Sequence, residues 1–379
     1  MKIKNINLLY FRNYNCLNIE LNPSLNIFVG NNANGKTNII ESIFFMALGK
    51  SFRTKRDFEC VKINEEATCM SCTLSKENIE KDIMIAVNNK GKSAKISGVK
   101  VNKLVDFVGE LNVVLFSPDD LQLVKGSPSI RRDFIDREFY QFSRLYHKSS
   151  LMYKHILKQR NTFLKEMRKD RSNELSVAYL ETLTLQLSKL AIYLTNERYK
   201  FISKISKLSK TNMYNISNNK EELEVIYKSS VLDSLNIDSV NDENFNENKL
   251  THIIMKKMND DITNGNTKIG VHHDDLTFLI NGLDAKNYAS QGQQRSIVLS
   301  LRLSEISFLK EKTGSYPVLL LDDVLSELDK KRQSKLLDAI DRNIQTFITT
   351  PTISDIREEL VKDASVFEIS DGNIIPMKV

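Results

Sequence analysis

The stretch Gly30-Asn31-Asn32-Ala33-Asn34-Gly35-Lys36-Thr37 decides the fold. It has the spacing G-x-x-x-x-G-K-[ST], in which two glycines let the backbone curl its N–H groups around phosphate oxygens. Lys36 then reaches the β and γ oxygens of a nucleotide, and the Thr37 hydroxyl reaches Mg²⁺. A Gly/Asn turn that happens to carry Lys-Thr is the bland alternative, and with Gly near 7% of residues it arises in a chain this long about once in a hundred. The flanks argue against it: Leu25-Asn26-Ile27-Phe28-Val29 reads as a short buried strand, and Asn38 to Leu48 is apolar at helical spacing. Strand, loop and helix are the context this loop requires, so all eight residues from Gly30 to Thr37 are expected to hold ATP.

A second motif set lies almost 300 residues away. Ser290-Gln291-Gly292-Gln293-Gln294-Arg295 opens an amphipathic helix, Ser296 to Lys312, that ends at Gly314. Pro317-Val318-Leu319-Leu320-Leu321-Asp322-Asp323 is a buried strand closing on two carboxylates, with Ser326-Glu327-Leu328-Asp329 next. Each piece alone is common in α/β proteins. Their order is that of ABC-type ATPase heads. The expected fold class is therefore α/β: a P-loop mixed-sheet lobe from residues 1–115 plus 266–379, with a helical lobe, 116–265, inserted between.

Further blocks narrow the resemblance. Leu8-Leu9-Tyr10-Phe11-Arg12-Asn13-Tyr14, Ser51-Phe52-Arg53-Thr54, Phe116-Ser117-Pro118-Asp119-Asp120-Leu121, Gly126-Ser127-Pro128 with Arg131-Arg132, His272 with Asp274-Asp275-Leu276, and Tyr288 to Arg295 resemble the bacterial RecF family. The blocks run from end to end, sparing only about 140 to 265. His273 stands where the family usually has Arg, and Val271 where it has Pro. The resemblance implies an ATP-dependent DNA-binding protein of recombinational repair, replication restart and SOS induction. It implies a weak, DNA-dependent ATPase that binds gapped or double-stranded DNA as an ATP-dependent homodimer, with the mediators RecR and RecO as partners. It also implies that loop and signature meet in trans, each ATP held between Lys36 of one chain and Ser290, Gly292 and Gln293 of the other. An SMC-like structural head and the nucleotide-binding subunit of a transporter are the competing classes. The first needs a long coiled coil this chain cannot contain, and the second needs a membrane partner.

Composition sets outer limits. The chain has 379 residues and net charge +6, and no apolar run approaches the ~18 residues that span a bilayer. Met1 to Asn7 lacks the apolar core of a signal peptide, so a cytoplasmic protein without a membrane partner is expected. Of the four cysteines, Cys69 and Cys72 are spaced C-x-x-C, but Cys16 and Cys60 do not extend the pattern to a zinc site. Charge is uneven. From Arg144 to Lys210 there are 15 Lys/Arg against 5 Asp/Glu, leaving the rest of the chain at −4. Apolar residues recur there at steps of three and four, and Arg171-Ser172-Asn173 reads as a break between two antiparallel helices. Such a block is either a solvated face or an electrostatic footprint for DNA; Lys154, Lys158 and Arg168 are the expected contacts, with Arg53 a further candidate. The Asn-rich stretch 211–248 reads as loop with short helical pieces.

Roles within the site divide by chemistry. Asp322 is expected to hold Mg²⁺ with Thr37, and Gln122 to contact the same ion between the lobes. Asp323 stands where most ABC proteins have Glu, one methylene longer, so slow hydrolysis is expected from Asp323 with Lys36 and Ser290 completing the catalytic set. No His follows Thr346-Phe347-Ile348-Thr349-Thr350, so Thr349 or Thr350 must replace a γ-phosphate sensor. Arg12 is similar in position to an Arg that related heads place by the nucleotide. Arg131 and Arg132 read as structural ion-pair partners, and His272, His273, Asp274 and Asp275 as structural or phosphate-sensing, since alternate residues of a strand point to opposite faces.

Overall fold

The computed structural model describes residues 1–31, 34–77, 79–169, 174–339, 343–356, 358–370 and 372–377. Among the described residues the strands form three sheets. The first joins β1 (Lys2–Phe11), β2 (Tyr14–Glu20), β4 (Ala67–Lys76), β5 (Ile79–Asn88), β6 (Gly91–Ile96) and β7 (Val99–Val101), antiparallel throughout in the order β2-β1-β4-β5-β6-β7. The second runs β15-β14-β3-β13-β12-β8, using β3 (Leu25–Val29), β8 (Val113–Phe116), β12 (Val318–Asp322), β13 (Thr346–Thr350), β14 (Ser365–Ser370) and β15 (Asn373–Met377). Its strands are parallel except β15.

The parallel sheet is buried on both faces, which is why its strands read as continuous apolar runs. Because side chains alternate, Phe28, Val113, Leu115, Val318, Leu320, Phe347 and Phe367 enter one core with α1 (Lys36–Leu48) and the antiparallel sheet. Ile27, Val114, Phe116, Leu319, Leu321, Ile348 and Val366 enter the other. Phe28 stacks on Phe367 with centroids 5.2 Å apart. The order β3-β13-β12 leaves one strand between the P-loop strand and the acidic strand, and pairs Asp322 with Thr349. Parallel sheets bind ligands beyond their carboxyl ends, and this pairing sets the site there.

Between β8 and β12 lie α2 (Gln122–Lys125), α3 (Pro128–Tyr140), α4 (Arg144–Lys169), α5 (Glu174–Ile216), α6 (Ser230–Leu235), α7 (Glu247–Lys256), α8 (Met258–Asn264), α9 (Ala285–Tyr288) and α10 (Gln291–Thr313). The contacts Tyr146–Arg198, Arg160–Thr184 and Leu164 with Leu180 step inward in opposite senses, so α4 and α5 are antiparallel, as read from the sequence. The break proposed at Arg171-Ser172-Asn173 lies outside the described residues. At 43 residues α5 is about 65 Å long. Beyond β12 come α11 (Lys330–Ala339) and α12 (Glu358–Val361). No helix among the described residues is long and apolar enough to cross a membrane.

Two expectations need correction here. The stretch 211–248, read as loop, contains a strand, β9 (Leu223–Lys228), which pairs with β10 (Asp275–Ile280), followed by β11 (Leu283–Asp284), as the third sheet. That sheet crosses the lobe boundary drawn at 265/266, because β10 finds its hydrogen-bond partner in the inserted segment. Cys69 and Cys72, three apart on β4, point to opposite faces and cannot share a metal ion.

Candidate functional site

The phosphate-binding loop is shaped by contacts that exclude side chains. Gly35 has φ 107°, and a Cβ there would lie 2.5 Å from the Asn13 amide nitrogen. A Cβ on Gly30 would collide with the Ile369 carbonyl oxygen on β14. Around the loop, Asn13 donates to the Asn34 carbonyl (3.0 Å), Tyr14 to the Gly35 carbonyl (3.0 Å), and Asn34 to the Ile369 carbonyl (3.2 Å). Lys36 is buried and curls back, its ammonium donating to Gly30 O (2.8 Å) and Asn31 O (3.2 Å). Asn32 and Ala33 lie outside the described residues.

The two motif sets meet at Asp322. Its Oδ1 accepts from the Thr37 hydroxyl and from the Thr349 hydroxyl, each at 2.9 Å. Thr349 Oγ1 in turn accepts from the Asp323 backbone N–H at 2.9 Å. Burial raises the Asp322 carboxyl above its ordinary value, held back by the two threonine hydroxyls. Asp323 has φ 51°, left-handed for a residue with a Cβ, and its buried Oδ1 has no hydrogen-bond partner among the described residues. A strained acid with an open oxygen, beside a buried acid bonded only to hydroxyls, suits an oxygen-liganded dication and a water to be oriented.

The signature is built differently. Ser290 caps α10 by accepting from Gln293 N (3.2 Å), while Gln293 Oε1 accepts from Ser290 N (2.8 Å). This capping box leaves Ser290 exposed, and Gln293 donates on to Glu221 (2.9 Å). The Arg332 guanidinium, paired with Asp329 and donating to Ser296 Oγ (2.9 Å), sits 3.1 Å from where a Cβ on Gly292 would be. Sequence reasoning missed Arg332, since nothing in an R on a charged helix signals that it folds onto a distant glycine.

Other expected residues fall elsewhere. Arg12 makes a two-pronged pair with fully buried Glu41 (2.6 and 2.9 Å) and donates to Glu59 O (2.7 Å), which ties it to the α1 scaffold. Arg53 donates to Asn38 (2.8 Å) and Glu41 (3.3 Å), which places it beside Thr37 with its side chain partly exposed. Gln122 turns its Oε1 toward Gly126; because Phe116 pairs with Leu321, Ser117 is the residue that leaves β8 level with Asp322. Thr349 is engaged between Asp322 and Asp323, so it positions those acids and is not free to sense phosphate.

The DNA candidates also split. Lys154 pairs with Asp136 (2.9 Å), and although burial lowers its affinity for a proton, Asp136 and Tyr140 more than restore it. Lys154 is itself exposed, but its ammonium caps a buried network in which Arg198 bridges Asp136 and Asp274 at 2.8 Å each. Lys158 and Arg168 are exposed on α4. Arg131 forms the structural ion pair expected of it, with Asp275 (2.6 Å), whereas Arg132 donates to a backbone carbonyl, that of Asp274 (2.8 Å). His272 sits between the Tyr153 hydroxyl (2.7 Å) and the Thr267 carbonyl (3.0 Å). Burial pushes its pKa down to about 4, so the ring is neutral, with Nε2–H donating to the carbonyl.

With this geometry in view, residues 2–370 match the family model described as RecF/RecN/SMC N terminal domain. The DNA replication and repair protein RecF of Staphylococcus aureus is 39% identical over 99% of this chain and 100% of its own length. A solved structure of the recombination mediator protein RecF with ATP, from the RecFOR pathway, superposes with TM-score 0.90 at 32% identity, covering 100% of this chain and 98% of that one. A head domain of Smc bound to the C-winged helix domain of ScpA gives TM-score 0.55 at 15% identity, a likeness of fold alone. The chain belongs to the RecF family of DNA replication and repair proteins.

Proposed function

We propose that this chain is an ATP-gated DNA-binding protein of recombinational repair, replication restart and SOS induction, working in the cytoplasm as a slow, DNA-dependent ATPase. The observation that carries the reading is the hydrogen-bonded set Thr37, Asp322, Thr349 and Asp323 beneath the glycine-shaped loop. Lys36 and the loop N–H groups from Gly30 to Thr37 bind the ATP phosphates. Thr37 and Asp322 offer the oxygens that would hold Mg²⁺; once bound, the ion neutralises phosphate charge. Asp323 orients the attacking water and accepts its proton, and its short side chain keeps turnover slow. Ser290 lies on an exposed helix cap whose hydrogen bonds are internal to α10, which suits a signature offered to a second copy. Two chains stack head to tail around two ATP molecules, bind DNA at gaps and help load recombinase together with RecR and RecO, until hydrolysis releases them.

The test is light scattering of the purified chain with and without ATP and Mg²⁺. Lys36→Met loses nucleotide and stays monomeric. Ser290→Arg keeps nucleotide, because it lies outside the loop, yet also stays monomeric. A Ser290→Arg chain that dimerises with ATP at the unsubstituted affinity would sink the trans-site reading.

A further inference from the structure

The +10 of the segment 144–210 does not survive folding as a surface charge. Arg144, Lys148, Lys154, Arg160, Arg198, Lys204 and Lys210 pair with Glu110, Asp106, Asp136, Asp261, Asp274, Glu311 and Glu222, all outside the segment. Counting the ion pairs among the described residues, that sets 8 remaining basic residues of the sequence against the segment's own 5 acids.

The β6–β7 hairpin behaves oppositely. Residues 89–103 hold five lysines and no acid. Lys92 pairs with Asp57 at 2.6 Å, whereas Lys90, Lys95, Lys100 and Lys103 are exposed and carry no ion pair among the described residues. Lys95 and Lys100 are direct cross-strand partners, an arrangement in which like charges repel and destabilise the hairpin. From that pair the register continues as Met84, Ser71, Asn7 and Asn18 across all six strands, on the face turned away from α1. On one side the next row of this face is Ser93, Ala86, Cys69, Leu9 and Cys16; on the other side the next row carries two acids, Glu20 and Asp82, with Asn5 and Thr73 between them.

We propose that this sheet face, with Lys95 and Lys100 on it and exposed Lys90 and Lys103 at the ends of the same hairpin, is where the sugar-phosphate backbone of duplex DNA docks. Lysines supply the charge, and Ser and Asn hydroxyls and amides are the side chains that, after Lys and Arg, hydrogen-bond phosphate and sugar. Six strands span about 24 Å, roughly seven base-pair steps. Nothing on the face reads base edges, so binding is indifferent to sequence. The placement also links DNA to the nucleotide: Lys92, on the opposite face of β6, donates to the Gly49 carbonyl at 2.7 Å, which ends the helix that Lys36 begins.

The proposal rests on the DNA-binding reading above, and the experiment separates the two. Fluorescence anisotropy of a labelled duplex is measured with ATP over a range of salt for the unsubstituted chain, for Lys90→Gln/Lys95→Gln/Lys100→Gln/Lys103→Gln, and for Lys158→Gln/Arg168→Gln/Lys169→Gln on α4. Each lost phosphate contact lowers the slope of log affinity on log salt by about 0.9, so the hairpin variant loses about 3 to 4 units of slope and binds at least ~10-fold more weakly at 0.1 M salt. The α4 variant stays near the unsubstituted slope. Lys100→Glu serves as the folding control: it relieves the Lys95–Lys100 repulsion, so its melting temperature holds or rises while DNA affinity falls. An unchanged slope in the hairpin variant overturns this surface and leaves the function standing; an unsubstituted chain that binds no duplex overturns both.

Discussion

Replacing Thr349 by Val tests whether one hydroxyl organises the acids of the site. Val matches Thr in shape, so no cavity opens, and the whole effect comes from the hydroxyl. That group donates to Asp322 Oδ1 and accepts from Asp323 N, each at 2.9 Å, at a position with 0% exposure. Asp322 keeps its Thr37 bond, but the Asp323 N–H is left buried and unpaired, which costs about 1–3 kcal/mol. Part of this returns, because Asp323 is then free to leave its left-handed backbone, worth about 1–2 kcal/mol. The net loss of stability is therefore small, roughly 1 kcal/mol, or a melting temperature lower by about 1 °C in a chain of this length. Turnover suffers more. An acid misplaced by about 1 Å loses on the order of 100-fold, so steady-state ATP hydrolysis falls about 10- to 100-fold. ATP affinity, measured by competition with a fluorescent analogue, stays at the unsubstituted value, since Lys36 and the loop are untouched. Thr349→Ser keeps the hydroxyl and recovers turnover. Full-rate hydrolysis by the Val variant, or a Ser variant as slow as Val, refutes the positioning role.

Two further expectations concern charge. Asp322→Asn removes a carboxylate that burial holds above its ordinary pKa; the cost of ionising it is absent below about pH 4 and present at neutrality. Melting curves should show Asp322→Asn more stable than the unsubstituted chain at pH 7 and no different near pH 4, while Mg²⁺-dependent ATP binding is lost. His272 is pushed down to about 4 by burial, so its neutral ring stabilises the fold fully above about pH 6.5 and progressively less down to about pH 4, by up to ~3 kcal/mol. His272→Gln should flatten that part of the stability-against-pH curve, and an unchanged acid limb would mean that another group, such as the similarly shifted His147, governs it.

Much of the site was legible because its chemistry is local. The glycines, Lys36 and Thr37 act within eight consecutive residues, and β3, β12 and β13 announce themselves as buried strands because a parallel sheet covered on both faces demands apolar runs. Asp322 could be placed beside Thr37 from motif order alone. What stayed hidden was work done by residues whose partners are far along the chain. Asn13 and Tyr14 shape the loop from the first hairpin, Arg12 and Arg53 converge on Glu41, and Arg332 folds onto Gly292; each is an unremarkable polar residue until the fold supplies its partner. β9 was hidden for a related reason, since its hydrogen-bond partner β10 lies nearly 50 residues away.

The same reasoning explains why the charge count along the chain and the charge left unpaired by folding point to different surfaces. A sum over sequence weighs every lysine alike, but the field outside a protein depends on which charges remain uncompensated after folding. A long two-helix arm must be tied to its neighbours along its whole length. In α4 and α5 that is done with arginines and lysines reaching acids on other elements, two of them, Arg160 and Arg198, wholly inside. Their charge is a means of attachment. A two-strand hairpin at the edge of a sheet needs no such ties, and there a short run with fewer positive charges stays exposed, with Lys95 set against Lys100 at a small cost to the hairpin itself. A cost in local stability with no compensating ion pair among the described residues is what the proposed docking surface accounts for. For a chain whose family acts on DNA, the phosphate backbone has the charge to supply that pair.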